Sequence, residues 1–293
     1  MEELKACPIC GSVALKSYMT TKDFFLTQEE FSISECSDCH FKFTNPRPEP
    51  EQLGKYYKSE EYISHSNNKK GFVNGIYQAV RQYTLAKKFQ AITKIKKEGK
   101  ILDIGCATGE LLNFFQQNKW ETLGIEPDPD ARNLAETNYN LDVREEEDIA
   151  NLEDKSFDVI TMWHVLEHVA NLQERAERLS QLVKDDGLVV IAVPNIDSWD
   201  AKHYGDKWAA IDVPRHLYHF SQKNMETLMQ QHGFKLIKTK PMVFDSFYVS
   251  LLSEKYKNGK PSLIKAFING LRSNIWANAN QQNFSSVTYF FTK

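Results

Sequence analysis

The sequence predicts an α/β protein built on a doubly wound parallel sheet with helices on both faces, preceded by a small β segment that binds metal. Two observations predict the main sheet. Mostly apolar runs at 101–104, 122–126, 156–163 and 188–193 alternate with segments of helical spacing, and a glycine-containing turn at 105–109 follows the first run. Two Cys-x-x-Cys pairs near the amino terminus predict the additional segment.

The composition is that of an ordinary globular protein. The chain has 41% hydrophobic residues, 26% charged residues and a formal net charge of −3. This balance gives no general attraction to nucleic acid or to anionic membranes. The first residues do not read as a secretion signal, and no apolar run is long enough to span a bilayer. We therefore expect a cytoplasmic protein with neither a membrane nor a nucleic acid among its partners.

The amino-terminal residues 1–46 carry two cysteine pairs, Cys7 with Cys10 and Cys36 with Cys39. Each pair has the spacing of a zinc knuckle, and four thiolates would complete a tetrahedral site with no open position. We therefore expect a structural Zn²⁺, which would stabilise a segment too small to bury a core of its own. A reducing cytosol favours metal binding over disulfides.

Three prolines in alternation at 46–50 mark the end of this segment, because they force extended backbone. Beyond them, residues 75–97 have the apolar spacing of a helix. We divide the chain into a zinc-ribbon-like segment at 1–46, a helical linker or cofactor cap at 47–97, and a main domain at 98–293.

The turn that follows the first strand indicates the kind of ligand. A dinucleotide fingerprint would need glycine at the positions of Ala107 and Glu110. A glutamate at the start of a helix would repel a pyrophosphate, and Asp103 adds a second acid just before the turn. Both acids suit a ligand that has a positive centre and no phosphate. S-adenosylmethionine, with its sulfonium and ammonium groups, is such a ligand.

The second strand ends in Glu126, about twenty residues beyond the turn. In an α/β nucleotide pocket, a carboxylate at this position accepts hydrogen bonds from both ribose hydroxyls. An acidic run at 145–148 follows the next short strand, and one of its members would accept the adenine amino group. The candidates are Glu146 and Asp148, together with Ile149.

The predicted strand at 156–163 ends at Trp163 and is followed by His164, and the carboxyl edge of an open α/β sheet would place both between cofactor and substrate. His164, Glu167 and His168 are also metal-ligating residue types at helical spacing. Their order differs from His-Glu-x-x-His, and the sequence offers no evident third ligand, so we expect no metal there.

Four motifs together resemble class I S-adenosylmethionine-dependent methyltransferases. They are the Asp-x-Gly-x-Ala-x-Gly loop at 103–109, Leu-Glu-His-Val at 166–169, Val-Pro-Asn at 193–195 and Pro-Arg-His-Leu-Tyr-His-Phe-Ser at 214–221. With the cysteine pairs and the Asn-Pro-Arg-Pro boundary, the layout looks like zinc-ribbon-bearing methyltransferases, some of which act on sugars and other metabolites. The resemblance implies a Rossmann-like methyltransferase sheet that ends in an antiparallel strand at 287–291.

The expected contacts of S-adenosylmethionine combine the positions argued above with the loop residues that the resemblance implies. All lie at or just beyond the carboxyl end of a predicted strand. They are Asp103, Gly105, Cys106, Ala107, Gly109, Glu126, Pro127, Glu146, Asp148, Ile149, Trp163 and His164.

Residues 195–220 mix aromatic and hydrogen-bonding side chains in one irregular segment, which predicts a substrate lid. The methyl group of the cofactor is already activated, so the enzyme must mainly align a nucleophile and exclude water. A base helps if the acceptor is a hydroxyl or an acidic carbon. We expect His216 or His219 to act as base or substrate orienter, with His164 beside the cofactor.

The predicted activity is therefore methyl transfer to an oxygen or carbon atom of a small molecule. Two other functions stay open. The same chemistry could serve an RNA or protein substrate with the zinc ribbon as reader, although residues 1–46 lack a dense basic and aromatic face. A non-catalytic protein that only binds the cofactor is the third possibility.

Overall fold

The computed structural model describes residues 1–57 and 72–293, so residues 58–71 of the predicted linker lie outside the described chain. The strands are β1 Leu15–Lys22, β2 Glu30–Cys36, β3 Lys42–Thr44, β4 Lys100–Ile104, β5 Glu121–Ile125, β6 Val143–Arg144, β7 Phe157–Trp163, β8 Val183–Pro194, β9 Tyr218–His219, β10 Lys235–Pro241 and β11 Ser286–Thr292. The α-helices are α1 Pro50–Leu53, α2 Phe72–Thr93, α3 Glu110–Gln117, α4 Pro129–Tyr139, α5 Leu172–Leu182, α6 Trp199–Tyr204, α7 Gln222–Gln231, α8 Asp245–Asn258 and α9 Leu263–Ala279. Short 3-10 helices are Gly54–Tyr56, Glu146–Asn151, Leu166–His168, Gly205–Lys207 and Ala209–Ile211.

Among the described residues, seven strands form the large sheet in the order β10-β11-β8-β7-β4-β5-β6. Strand β4 pairs in parallel with β5 and β7, and β6 and β8 extend the parallel part on either side. Strand β11 lies antiparallel between β8 and β10. Helices α3, α4 and α5 connect successive parallel strands. This arrangement confirms the predicted doubly wound, Rossmann-like sheet and its antiparallel final strand.

The apolar pattern of the central strands explains why they are interior. Ile101 and Leu102 of β4 are fully buried, as are Val159 and Ile160 of β7. A parallel sheet covered by helices on both faces needs apolar side chains in both directions, so its strands read as continuous apolar runs. The carboxyl ends of β4, β5 and β7 consequently meet at one edge of the sheet, where ligands of such folds bind.

The smaller sheet has the order β1-β2-β3-β9 within the described part of the chain. Its last strand comes from the main domain, far along the chain from the other three. Lys42 pairs with His219 and Phe43 pairs with Tyr218 across the antiparallel β3–β9 ladder. The amino-terminal segment is therefore joined to the main domain by backbone hydrogen bonds.

A buried polar network joins the carboxyl-terminal elements to the segment after β8. The carboxylate of Asp200 accepts hydrogen bonds from Trp208 Nε1 at 2.8 Å, Ser273 Oγ at 2.7 Å and Ser285 Oγ at 2.6 Å. Helix α9, which carries Ser273, is thus fixed to α6. None of the helices in the described ranges is long and apolar enough to cross a membrane.

Candidate active site

The predicted glycine loop connects β4 to α3, and its backbone repeatedly adopts positive φ. Gly105, Ala107 and Gly109 have φ of 72°, 49° and 80°. A Cβ on Gly105 would lie 2.3 Å from Val165 Cγ2, so glycine alone fits this position. The Gly105 N–H donates to the Ile125 carbonyl at 2.7 Å, which fixes the loop against the end of β5.

Glu126 follows β5 and holds the same loop from its other side. The residue is 9% exposed. One carboxylate oxygen accepts the N–H of Ala107 at 2.9 Å and the other accepts the N–H of Asp128 at 3.0 Å. Burial raises the pKa of Glu126, whereas the two amide donors oppose the rise. Because a carboxylate has about four acceptor positions, lone pairs remain available beside the exposed Pro127.

Asp103 brings a second buried carboxylate to the edge of the sheet. It accepts a hydrogen bond from the Thr161 hydroxyl, and burial raises the pKa of Asp103 to about 7. The ammonium group of Lys88 partly opposes that rise, and burial in turn lowers the pKa of Lys88 to about 8. This ammonium lies 3.8 Å from the centroid of the Trp163 ring. Cys106 is also buried, and its burial raises the pKa of the thiol.

Lys88 belongs to none of the sequence motifs, although the residue spacing in α2 indicates its position. Leu85 and Ile92 are buried, and Lys88 lies three residues after the first and four residues before the second. A lysine on the buried stripe of a helix requires a partner or a function. Through Lys88, helix α2 brings a cation to the site from the segment that we predicted to be a cofactor cap.

The acidic run after β6 forms a 3-10 helix, Glu146–Asn151. Glu146 forms an ion pair with Arg175 of α5, and Asp148 is half-buried. Ile149 is buried at 5% exposure. The three residues proposed for adenine thus lie in one helical turn directly after β6, with the apolar side chain in the core and the two carboxylates outside it.

His164 is the first residue after β7, and its backbone has a φ of 57°. Its Nδ1 lies 3.3 Å from Glu167 Oε1 and its Nε2 lies 3.1 Å from Asp245 Oδ2. Burial opposes protonation, but the hydrogen bonds to Asp245 and Glu167 outweigh it and raise the pKa of His164 to about 10. The buried indole N–H of Trp163 has no hydrogen-bond partner among the described residues. At the end of β7, the available indole donor of Trp163 is therefore followed by the protonated imidazole of His164.

His216 lies close to two residues of the Leu-Glu-His-Val motif. Glu167, His168 and His216 each offer one ligating atom, and these atoms lie within 4.8 Å of one another. Nδ1 of His168 is 3.0 Å from the Arg215 carbonyl, and Nδ1 of His216 is 2.9 Å from the Ala210 carbonyl. The two imidazole rings meet edge to face, with centroids 4.6 Å apart. Sequence spacing did not reveal this cluster, because its third member belongs to a different motif.

His219 has different surroundings, inside the small sheet. Its Nε2 lies 3.2 Å from Thr44 Oγ1, whose hydroxyl donates to the His216 carbonyl at 2.8 Å. Burial lowers the pKa of His219 to about 3, so this imidazole is neutral at ordinary pH. Of the three predicted histidines, the structure brings His164 and His216 to the same carboxylate, Glu167, and pairs His219 with the amino-terminal segment.

The segment predicted as a substrate lid is packed into the protein. Arg215 is 2% exposed and donates hydrogen bonds to Asp23 at 2.8 Å, Asp212 at 2.7 Å and the Tyr56 carbonyl at 2.9 Å. Trp208 is likewise 2% exposed. Residues 195–220 thus form a largely buried segment, called the wall below, that is fixed to the amino-terminal residues through Arg215.

The four cysteines of the amino-terminal segment converge. The Sγ atoms of Cys7, Cys10, Cys36 and Cys39 lie within 4.8 Å of one another, and all four are free thiols. The Cys7–Cys39 and Cys10–Cys36 sulfur distances are 3.4 and 3.6 Å. A disulfide would bring two sulfur atoms to about 2.05 Å, whereas Zn–S bonds of about 2.3 Å place the sulfurs of a tetrahedron ~3.8 Å apart. The cluster therefore fits a tetrahedral metal ion.

The sheet order, the glycine loop after β4 and the acid after β5 are together the features of the class I S-adenosylmethionine-dependent methyltransferase fold. The methyltransferase domain family matches residues 77–239, and the chain belongs to this family. Family membership confirms the resemblance that the four sequence motifs indicated, and with it the predicted class of enzyme.

Known proteins resemble parts of the chain. Ubiquinone biosynthesis O-methyltransferase of Azorhizobium caulinodans is 26% identical over 159 residues, which cover 50% of this chain and 62% of that protein. An uncharacterized methyltransferase of Alkaliphilus oremlandii is 29% identical over 111 residues, 36% of this chain and 51% of that protein. The chain thus spans between half and two thirds of the length of these two relatives.

The likeness extends to a solved structure. The crystal structure of magnesium protoporphyrin IX methyltransferase from Synechocystis PCC 6803 matches with a TM-score of 0.55 and 13% identity. The match covers 84% of this chain and 100% of that chain. At this identity the likeness concerns the fold.

Proposed function

We propose that this protein transfers a methyl group from S-adenosylmethionine to an oxygen or carbon atom of a small molecule. The observation that carries the proposal is the convergence of two buried carboxylates, Asp103 and Glu126, with the imidazole of His164 at the carboxyl edge of the parallel sheet. When bound, the cofactor supplies an activated methyl group on a sulfonium. The similarity to an enzyme named for O-methylation in ubiquinone biosynthesis supports a small-molecule acceptor.

The polar groups at this edge fit that cofactor. Glu126 has lone pairs for the two ribose hydroxyls, and Asp103 supplies negative charge for a cationic ligand. The indole N–H of Trp163, which has no hydrogen-bond partner in the described part of the chain, is a donor for an anionic or carbonyl group. We propose the full set of contacts named from the sequence, which is Asp103, Gly105, Cys106, Ala107, Gly109, Glu126, Pro127, Glu146, Asp148, Ile149, Trp163 and His164.

We place the acceptor beside the two histidines that share Glu167. Because Asp245 and Glu167 keep His164 protonated, this imidazole can donate hydrogen bonds, and its role would be to orient the acceptor. Nδ1 of His216 donates to a carbonyl, so Nε2 bears the lone pair that can take a proton from the acceptor or orient it. We assign this role to His216 and not to His219, because the ring of His219 is hydrogen-bonded to Thr44 of the amino-terminal segment.

We further propose that Cys7, Cys10, Cys36 and Cys39 hold a structural Zn²⁺. Four thiolates leave no open coordination position, so this metal would not contact the acceptor. Its role would be to stabilise the small sheet, whose β3 strand carries the ladder to β9.

Two measurements on the full chain test the methyltransferase proposal. Calorimetry with S-adenosylhomocysteine tests the cofactor site, and we expect one molecule to bind per chain. Assays of S-adenosylhomocysteine release from S-adenosylmethionine, with phenolic, sugar and acidic-carbon acceptors, test the reaction. Failure of the wild-type protein to bind S-adenosylhomocysteine would overturn the proposal, and binding without turnover on any acceptor would favour a non-catalytic role.

A further inference from the structure

Glu167, His168 and His216 form a second cluster of metal-ligating groups, apart from the cysteines. The first two lie in the 3-10 helix Leu166–His168, directly beyond β7, and His216 comes from the segment after β8. The Leu217 N–H donates to the Glu167 carbonyl at 2.8 Å, which fixes the two segments against each other. The arrangement is therefore held by the backbone and does not depend on the side chains alone.

The hydrogen bonds of the two histidines define which nitrogen is available. Nδ1 of His168 lies 3.0 Å from both the Arg215 carbonyl and the Tyr57 hydroxyl, and Nδ1 of His216 contacts the Ala210 carbonyl. A carbonyl only accepts and a hydroxyl can also accept, so each carbonyl assigns the hydrogen to Nδ1 and leaves the lone pair of the neutral ring on Nε2. Metal-bound imidazoles are oriented in this way, with the second nitrogen donating to a backbone carbonyl or carboxylate.

The carboxylate of the cluster lacks a partner for one of its oxygens. Glu167 is 0% exposed. Its Oε1 lies 3.3 Å from Nδ1 of His164, and its Oε2 has no hydrogen-bond partner within the described ranges. A buried carboxylate oxygen is costly to leave unpaired. Two imidazoles and a buried carboxylate each bring an electron-pair donor within 4.8 Å of the others, so the cluster favours a cation.

We propose that Glu167, His168 and His216 bind a divalent first-row transition-metal ion. Two imidazoles and one carboxylate favour zinc, iron, cobalt or manganese over magnesium and calcium, which prefer ligand sets made of oxygen alone. Three protein ligands leave at least one coordination position open. Resting on the proposed function, we assign this position to an oxygen of the methyl acceptor, and His216 then orients the acceptor through the metal instead of taking its proton, because its Nε2 lone pair is bound to the ion.

Metal content of the full-length protein tests the site without any assay of activity. The protein is stripped with a chelator, loaded with Co²⁺, freed of excess ion and analysed for cobalt per chain. We expect His216→Gln and Glu167→Gln to hold one cobalt ion fewer than the wild type. The matched control is His203→Gln, at an exposed histidine outside the cluster, which retains the wild-type content.

Cobalt absorption separates the two clusters, because thiolate ligation gives strong charge-transfer bands and ligation by imidazole and carboxylate gives weak d–d bands. Cys7→Ser combined with Cys36→Ser should abolish the first set of bands and leave the second. The circular dichroism and melting temperature of His216→Gln show whether that variant is folded. If folded His216→Gln and Glu167→Gln both keep the full cobalt content, the proposal is wrong. S-adenosylhomocysteine binding is measured on the same samples, so loss of the proposed function is read separately from loss of the metal.

Discussion

His164 Nε2 lies 3.1 Å from Asp245 Oδ2, so the residue that follows β7 contacts the first residue of α8. This contact, with that of Glu167, keeps the pKa of His164 near 10 against the effect of burial. Replacing Asp245 by Asn should lower the pKa of His164 by about one unit or more, because an opposite charge within a few ångströms has an effect of that size. An NMR titration of the imidazole measures it, with Asp206→Asn, at an exposed surface pair, as the control.

The same pair predicts a dependence of stability on pH. The pKa of His164 is raised above the ~6.5 of an unfolded histidine, so protonation favours the folded state. The stabilisation is complete below pH ~6.5 and is lost as the pH rises through about 10. The difference in urea midpoint between wild type and Asp245→Asn should therefore be largest near pH 6 and should shrink by pH 10. A difference that grows with pH would contradict this assignment.

The Arg215–Asp23 ion pair predicts a large effect on stability. Arg215 is 2% exposed and Asp23 is 0% exposed, and the pair connects the wall at 195–220 to the segment before β2. Burial alone would raise the pKa of Asp23, but the hydrogen bond and charge of Arg215 and the hydrogen bonds from Thr27 together outweigh it and lower the pKa. Replacing Arg215 by Met leaves buried carboxylates uncompensated and should cost about 3–5 kcal/mol of unfolding free energy.

Urea denaturation at neutral pH measures that cost. The control is Lys155→Met, which breaks a pair with Asp185 whose side chains are both more than half exposed. That change should cost less than about 1 kcal/mol. Equal effects of the two substitutions would show that Arg215 has no special structural role. Because the pKa of Asp23 is lowered, the contribution of the buried pair is present at neutral pH and is lost in acid, as the pH falls through the folded pKa of Asp23.

Much of the fold was predictable because it is encoded locally. Ile101–Ile104 and Phe157–Trp163 are apolar runs of strand length, and the observed strands begin and end within one residue of the prediction. The helix that begins at Glu110 has the predicted start, because the left-handed Gly109 lies immediately before it. The last helix, Leu263–Ala279, continues past Gly270 because no proline or glycine lies beyond that residue to stop it.

The site was predictable only where its residues directly follow strands. Glu126 and His164 were identified because the carboxyl ends of parallel strands share an edge. Lys88, Asp245 and the meeting of His216 with Glu167 depend on how α2, α8 and the segment after β8 pack against that edge. The spacing of residues along the chain does not report such packing. The sequence therefore shows Glu167 and His168 without a third ligand, which the fold supplies as His216.

The cysteine cluster predicts that removal of zinc destabilises the amino-terminal segment. Structural zinc contributes about 10–16 kcal/mol in zinc-finger peptides, and Cys7 and Cys36 lie in the same buried core cluster as Phe41 and Phe43 of this segment. Cys36→Ser, or chelation of the wild type, should remove the thiolate-bound metal and lower the melting temperature. Cys106→Ser changes a thiol outside the cluster and should keep that metal. If Cys36→Ser held as much thiolate-bound metal per chain as the wild type, these cysteines would not form the site.

Glu126 gives the sharpest test of the cofactor site. Its two oxygens already accept the N–H groups of Ala107 and Asp128, so it both shapes the loop and offers lone pairs to the ribose. Hydrogen bonds to a charged group contribute about 1.5–3 kcal/mol, so Glu126→Ala should weaken S-adenosylhomocysteine binding by about 10- to 150-fold. Glu126→Gln keeps one acceptor oxygen and should lose less. Glu121→Gln, at the exposed start of β5, is the matched control and should bind like the wild type. Calorimetry measures S-adenosylhomocysteine affinity in the wild type and the three variants. Wild-type affinity in Glu126→Ala would show that the cofactor does not lie against this strand.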